Sequence, residues 1–236
     1  MADCTFSYQQ VEETCELGIT MARDNYVPAL RFDWLTPIYD PVVRITTREK
    51  EFKRDLIENA GLGQHDTVLD LGCGSGTLIL MLGRMRSGSI VHGIDGDQRI
   101  LGRANEKVLS ADSRASLVQG MSFQLPYGEE SFDHVFSSLF FHHLTTADKV
   151  LTLNEVRRVL KPDGAFHVAD WGSPDNFATK IGSYFVVALD GFEKTRDNFS
   201  GRLPELITDA GFAGVEETSS VNTAFGTIRI LRSKAK

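Results

Sequence analysis

From residue 67 onward, short apolar runs alternate with longer stretches in which apolar positions recur every three or four residues. The runs at 67–71, 90–94, 115–118, 134–138 and 165–169 have the length and continuity of strands buried on both faces. Between them, Leu78-Ile79-Leu80-Met81-Leu82 reads as a helix and Gly96-Asp97 opens another. Residues 148–160 place Val150, Leu153, Val156 and Leu160 on one helical face. Lys161-Pro162-Asp163-Gly164 is expected to stop that helix, because proline removes a donor and glycine supplies a turn. A helix at 202–210 and segments at 214–218 and 227–231 complete the alternation. Strand and helix in turn predict an α/β, doubly wound, mostly parallel sheet covered on both faces.

Two stretches stand outside this rhythm. Before residue 67, Val11, Cys15, Leu17, Met21 and Ala22 have loosely helical spacing, and residues 31–41 are dense in aromatics, with Pro37 and Pro41 fixing an extended, turned path. A helix over 46–60 follows, ended by Gly61-Leu62-Gly63. The second stretch, 172–200, mixes Phe177, Tyr184, Phe185, Val186, Val187 and Phe192 with polar residues, and reads as an excursion on the sheet edge or as part of a pocket.

Composition narrows the choice of partner. A chain of 236 residues with 42% hydrophobic and 24% charged residues has the ordinary make-up of one globular domain. The net charge of −7 argues against a nucleic-acid substrate, since phosphate binding draws on clustered Lys and Arg. No apolar run approaches the ~18 residues of a membrane span, and no signal-peptide core is evident, so integral membrane association is not expected. Cys4, Cys15 and Cys73 are too scattered for a disulfide framework, and a reduced, cytoplasmic protein is the simplest expectation.

The chemistry concentrates after the first strand. Asp70 precedes Gly72-Cys73-Gly74-Ser75-Gly76, and Asp95 closes the second apolar run nineteen residues after Gly76. An acid at the tip of the second strand of such a unit accepts both hydroxyls of a ribose. The spacing G-x-G-x-G differs from the dinucleotide pattern G-x-G-x-x-G, and an acid beside the loop would repel a pyrophosphate while suiting a cationic amino group. The ligand implied is a nucleoside joined to an amino acid.

Residues 68–77 resemble the first motif of class I S-adenosylmethionine (SAM) methyltransferases. Phe123 to Asp133, Phe141-His142-His143-Leu144 and Glu155 to Gly164 follow in the order and spacing of the small-molecule members that include the quinone-biosynthesis enzymes. The resemblance spans roughly residues 30 to 236. It implies a Rossmann-like sheet of seven strands with an antiparallel last strand, SAM as cofactor, and residues 51–236 as the methyltransferase domain. Residues 1–50 would be an N-terminal helical and aromatic lid, and 172–200 an acceptor-pocket insertion.

By the same resemblance, Gly72, Gly74 and Gly76 approach the methionine and ribose of SAM, with Asp70 and Cys73 in the same loop. Asp95 takes the ribose, Ile100 packs on the adenine, and Ser137 lies at the tip of the fourth strand. Trp34 and Tyr39 would fold over the sulfonium, where aromatic faces contribute on the order of 0.5–2 kcal/mol. Asp97 is the natural helix cap. Two positions depart from the family: Gly96 replaces an apolar residue, and Met121-Ser122 stands where relatives carry an acid for the adenine amino group. Backbone groups there, with Gln119 or Gln124, are the substitutes, and weaker or less base-selective SAM binding is expected. His142 and His143 are candidate proton acceptors or pocket walls, and Tyr39 is a third catalytic candidate. His92 and His167 read as core residues, and the six histidines show no metal-ligand spacing, so no metal is expected. The reading is methyl transfer to a small, apolar or amphiphilic acceptor, at carbon, nitrogen or oxygen. A non-catalytic SAM-binding module and an NAD-dependent oxidoreductase are the alternatives.

Overall fold

In the computed structural model, residues 47–85 and 88–235 are described. The chain enters through α1 (Glu49–Glu58) and then alternates β1 (Thr67–Leu71), α2 (Thr77–Met85), β2 (Ile90–Asp95), α3 (Gln98–Ser110) and β3 (Ser116–Gln119). After β4 (Phe132–Ser138) come a short 3-10 turn (Phe141–His143), α4 (Thr146–Val159) and β5 (Leu160–Gly172). The remainder is α5 (Phe177–Asp190), α6 (Phe192–Phe199), α7 (Leu203–Asp209), β6 (Ala213–Thr223) and β7 (Gly226–Lys234).

The seven strands form one sheet in the order β3-β2-β1-β4-β5-β7-β6. The first five run parallel, and β7 inserts antiparallel between β5 and β6. Because side chains alternate across a strand, adjacent residues enter different cores. Val68, Phe136 and Ala169 pack with Phe52, Leu56, Leu78 and Leu82 on one face. Leu69, Leu71, Val135 and Val168 pack with Leu153, Val156 and Leu206 on the other. Strand order reverses between β1 and β4, so a crevice opens beyond their carboxyl ends. Among the described residues no helix is long and apolar enough to cross a membrane.

Two local expectations change. Lys161 to Gly164 do not form a turn after the helix but lie within β5, where Leu160 already pairs with Phe132. The left-handed residue is Asp163, with φ 64°, rather than Gly164. A side chain at Gly164 would crowd the carbonyls of Lys161 and Asp133, so close approach is what requires glycine there. The stretch 172–200 holds two helices, α5 and α6, instead of an irregular excursion. Helix α5 is inverted relative to an ordinary surface helix. Its buried side carries Thr179, Ser183 and Val186, while Phe177, Ile181, Tyr184 and Phe185 are exposed. Phe177, Ile181, Tyr184 and Phe185 keep the i, i+4, i+7, i+8 spacing of an amphipathic helix, so the inversion lies in which face the fold buries.

Candidate active site at the carboxyl edge of the sheet

The loop after β1 is held by its own backbone. The amides of Gly72 and Cys73 both donate to the Ile94 carbonyl, at 2.9 and 3.0 Å. Gly72, Gly74 and Gly76 all have positive φ, between 52° and 74°. At Gly72 a Cβ would run into the Phe140 ring, whereas at Gly74 it would meet nothing within 4 Å. Open space therefore lies against the loop backbone at Gly74, which leaves room for a ligand.

Asp95 ties this loop to the second strand. One carboxylate oxygen accepts from the Gly74 amide and the other from the Asp97 amide, each at 2.9 Å. Burial raises the Asp95 pKa, and those backbone donors oppose the rise. Each oxygen keeps a further lone pair for a donor from outside the chain. Asp97 caps α3 by accepting from Arg99 and Ile100, and Ile100 sits half-buried in the first turn of α3. Lys107 donates to Ser75 at 2.8 Å, pinning the loop from the side.

Asp70 is the electrostatic anomaly. It is fully buried, and neither carboxylate oxygen has a hydrogen-bond partner. Burial lifts its pKa to about 7; Lys53 pulls it down and Asp95 pushes it up. A carboxylate with no partner in such a place is costly unless a cation arrives.

Other expected residues are placed differently. Burial, reinforced by Asp70 and Asp95, raises the Cys73 thiol well above its ordinary pKa, so it acts as a small apolar residue in the loop. The Ser137 hydroxyl donates to the Leu71 carbonyl, and Ser122 bonds Thr152 of α4, so both side chains are engaged in the scaffold. Met121 and Gly96 are half-buried at the β3 end of the crevice, and Gln119 donates to the Gly96 carbonyl at 3.3 Å. Trp34 and Tyr39 lie outside the described residues.

On the other side of the crevice, His142 is buried and its Nδ1 donates to Asp170 at 2.7 Å. Asp170 also accepts from the amides of Phe140, His142 and Trp171, so β5 fixes the turn after β4. Burial disfavours the charged His142 ring, but Asp170 and Asp190 outweigh it and the pKa stands above its ordinary value. Burial and the His142 charge drive His143 well below its own. Asp170 is foreshadowed by its place at a strand end. Asp190, the last residue of α5, has no sequence signal, because the fold of 172–200 alone brings it here. His167 is buried and packed on the Phe136 ring, as expected of a core histidine, whereas His92 is only half-buried, edge-on to Phe132.

This arrangement suits a nucleoside bearing a cationic amino acid. A family model described as a methyltransferase domain matches residues 68–164. An uncharacterized methyltransferase of Synechocystis sp. is 31% identical over 202 residues, covering 84% of this chain and 91% of its own. A demethylmenaquinone methyltransferase of Lactobacillus johnsonii is 34% identical, covering 90% of this chain and 96% of its own.

The chain belongs to the class I SAM-dependent methyltransferases.

A solved SAM-dependent methyltransferase of Methanosarcina mazei shares the fold, with a TM-score of 0.60 at 21% identity over 76% of this chain and 96% of that one. The methyltransferase thus uses SAM, and the unpartnered Asp70, the open space at Gly74 and the doubly anchored Asp95 are features that fit it.

Proposed function

We propose that this methyltransferase acts on a small, apolar or amphiphilic acceptor held between the His142–His143 turn and α5. The observation that carries this reading is the inverted α5. On α5, Phe177, Ile181, Tyr184 and Phe185 are exposed apolar side chains, and the helix ends at Asp190, which joins His142 and His143 at the carboxyl edge. A relative named for demethylmenaquinone supports a quinone-type acceptor. Trp34 and Tyr39, in the segment before α1, would fold over the sulfonium as a lid.

The roles proposed for the chain's residues follow from placement. Asp70 pairs with the SAM amino group, Asp95 accepts from the ribose hydroxyls, and the backbone of Gly72, Gly74 and Gly76 lies against the methionine and ribose. Cys73 and Ser137 shape the wall behind, while Gly96, Ile100, Met121 and Ser122 border the adenine. When bound, SAM supplies a sulfonium methyl that passes to the acceptor by in-line displacement, the electron pair of the breaking bond remaining on sulfur. Such a reaction needs alignment and exclusion of water more than covalent help. His143, whose side chain is 27% exposed, faces the acceptor, and His142 is held behind it by Asp170. Together they hold an acceptor hydroxyl and take up or pass on its proton.

The test is purified protein incubated with SAM and a panel of hydroquinones, phenols, amines and polar acids, with product mass read by mass spectrometry. Addition of one methyl to the apolar hydroxylated or ring-carbon acceptors is expected. Turnover of polar acids or amines alone would overturn the acceptor class. SAM binding without turnover of any acceptor would favour a non-catalytic SAM-binding module.

A further inference from the structure

Where β4 gives way to the turn Phe141–His143, two imidazoles lie with ring centroids 3.9 Å apart. Asp190 reaches both from α5. Its two carboxylate oxygens lie 3.7 Å from His142 Nε2 and 3.6 Å from His143 Nδ1. Neither separation is a hydrogen bond. Three partly or fully desolvated polar groups therefore converge without satisfying one another. All three ligand-type atoms fall within 4.8 Å of one another. Ligands about 2.0–2.1 Å from a tetrahedral ion stand roughly 3.3 Å apart, so side-chain movements of up to about 1.5 Å would close a coordination shell here.

The surroundings have the form that a metal ligand requires. His142 donates from Nδ1 to Asp170 at 2.7 Å, which leaves Nε2, 3.7 Å from Asp190, as the nitrogen that can ligate once its proton is displaced. A carboxylate behind a ligating imidazole fixes its tautomer and orientation. Asp170 is itself held by three backbone amides, so this orientation is rigid. The side chains of His142 and Asp190 are 4% and 11% exposed, whereas that of His143 is 27% exposed, which leaves one approach open.

We propose that His142 Nε2, His143 Nδ1 and an Asp190 carboxylate oxygen bind a divalent transition-metal ion of the zinc class, with a fourth position open to the acceptor. Two imidazoles with a single carboxylate suit a borderline ion, whereas Mg²⁺ and Ca²⁺ favour oxygen-only shells. Three protein ligands with one open position is the arrangement of catalytic rather than structural sites. An acceptor hydroxyl at that position would lose its proton to solvent more readily and be held as the nucleophilic oxygen. That last role rests on the acceptor edge proposed above, with solvent in place of the ligated imidazoles as the proton's destination; the metal site itself does not rest on it.

The experiment uses untagged, metal-stripped full-length protein titrated calorimetrically with zinc, alongside SAM titrations of every variant. One equivalent bound at about 10 µM or tighter is expected. Asp190→Asn and His143→Ala should each weaken it at least roughly tenfold, Asp170→Asn by about 10–100-fold, and the exposed His65→Ala not at all. Retained SAM affinity certifies that each variant is folded. Should a variant fail to fold, the visible spectrum of the cobalt-loaded wild type decides, with intense four-coordinate bands expected. Absence of saturable zinc binding, binding unaltered in Asp190→Asn and His143→Ala, or a weak six-coordinate cobalt spectrum would overturn the site. Zinc binding without SAM binding would instead sink the methyl-transfer reading and leave the metal site standing.

Discussion

Asp70 shows how one residue couples charge, burial and ligand. Its folded pKa, raised to about 7 by burial, exceeds the ordinary value of 3.8. A raised carboxyl pKa means that its contribution to the stability of the ligand-free fold is fully present below pH 3.8 and lost as pH climbs through 7. SAM reverses the balance, because its amino cation needs the ionised carboxylate. SAM affinity is therefore expected to rise roughly tenfold from pH 5.5 to 7, a range in which an α-amino group stays charged. In Asp70→Asn that slope should vanish, and calorimetry in buffers of different ionisation enthalpy would report the proton released. A flat wild-type profile would place the amino group elsewhere. Met121 allows a second test at the same scale. Met121→Asp restores an acceptor for the adenine amino group and should tighten SAM by roughly tenfold, the worth of a charged hydrogen bond. Unchanged affinity would mean that this position does not face the base.

Among the helices, α4 and α6 are joined by a buried ion pair. Lys149 and Asp197 are both fully buried, with Nζ 3.4 Å from Oδ2, and Lys149 also donates to the Lys194 carbonyl at 2.8 Å. Thr146 and Arg202 complete the shell around Asp197. Removing one partner leaves an uncompensated charge, so Lys149→Ala should cost about 3–5 kcal/mol in a urea titration. A loss below about 1 kcal/mol would show that water or Arg202 satisfies Asp197 unaided. The pair matters to the site because α6 backs the His142–His143 turn. Helix α5 illustrates a different logic. Its capping box at Asn176 and Thr179 specifies where it starts, while its apolar stripe faces outward. An element whose pattern contradicts the ordinary inside-apolar rule is one whose exposed face serves something other than the core.

For the whole molecule, the crevice lies between the half of the sheet built by β1 to β3 and the half built by β4 to β7. A ligand bridging the glycine loop and the His142 turn should stabilise both halves together. SAM or S-adenosylhomocysteine at about one hundred times Kd should add about 2.7 kcal/mol, or roughly 5–10 °C in Tm for a domain of this size. NAD at the same concentration should add nothing. A shift with NAD and none with SAM would contradict the cofactor.

How much of this was legible in the sequence follows from the range of the forces involved. Strand β1 matches its apolar run residue for residue and β2 to β4 differ by one or two residues at their ends, because period is local, whereas β5 and β6 run well beyond the predicted 165–169 and 214–218. The glycine loop and Asp95 were equally legible, since positive φ and a strand-tip acid are written within thirty residues of chain. The packing of 172–200 was not, because nothing local says that the apolar face of α5 would be left exposed and its Thr179–Ser183–Val186 face buried. The engagement of Ser122 and Ser137 by the scaffold depends on partners thirty and sixty-six residues away in the sequence. Sequence alone determined the sheet, the loop and the cofactor chemistry, each set by neighbouring residues. Only the tertiary structure decided that Asp170 would orient His142, that Asp190 would meet the histidine pair, and that Asp70 would be buried without a partner, because burial and encounter are properties of the packed chain.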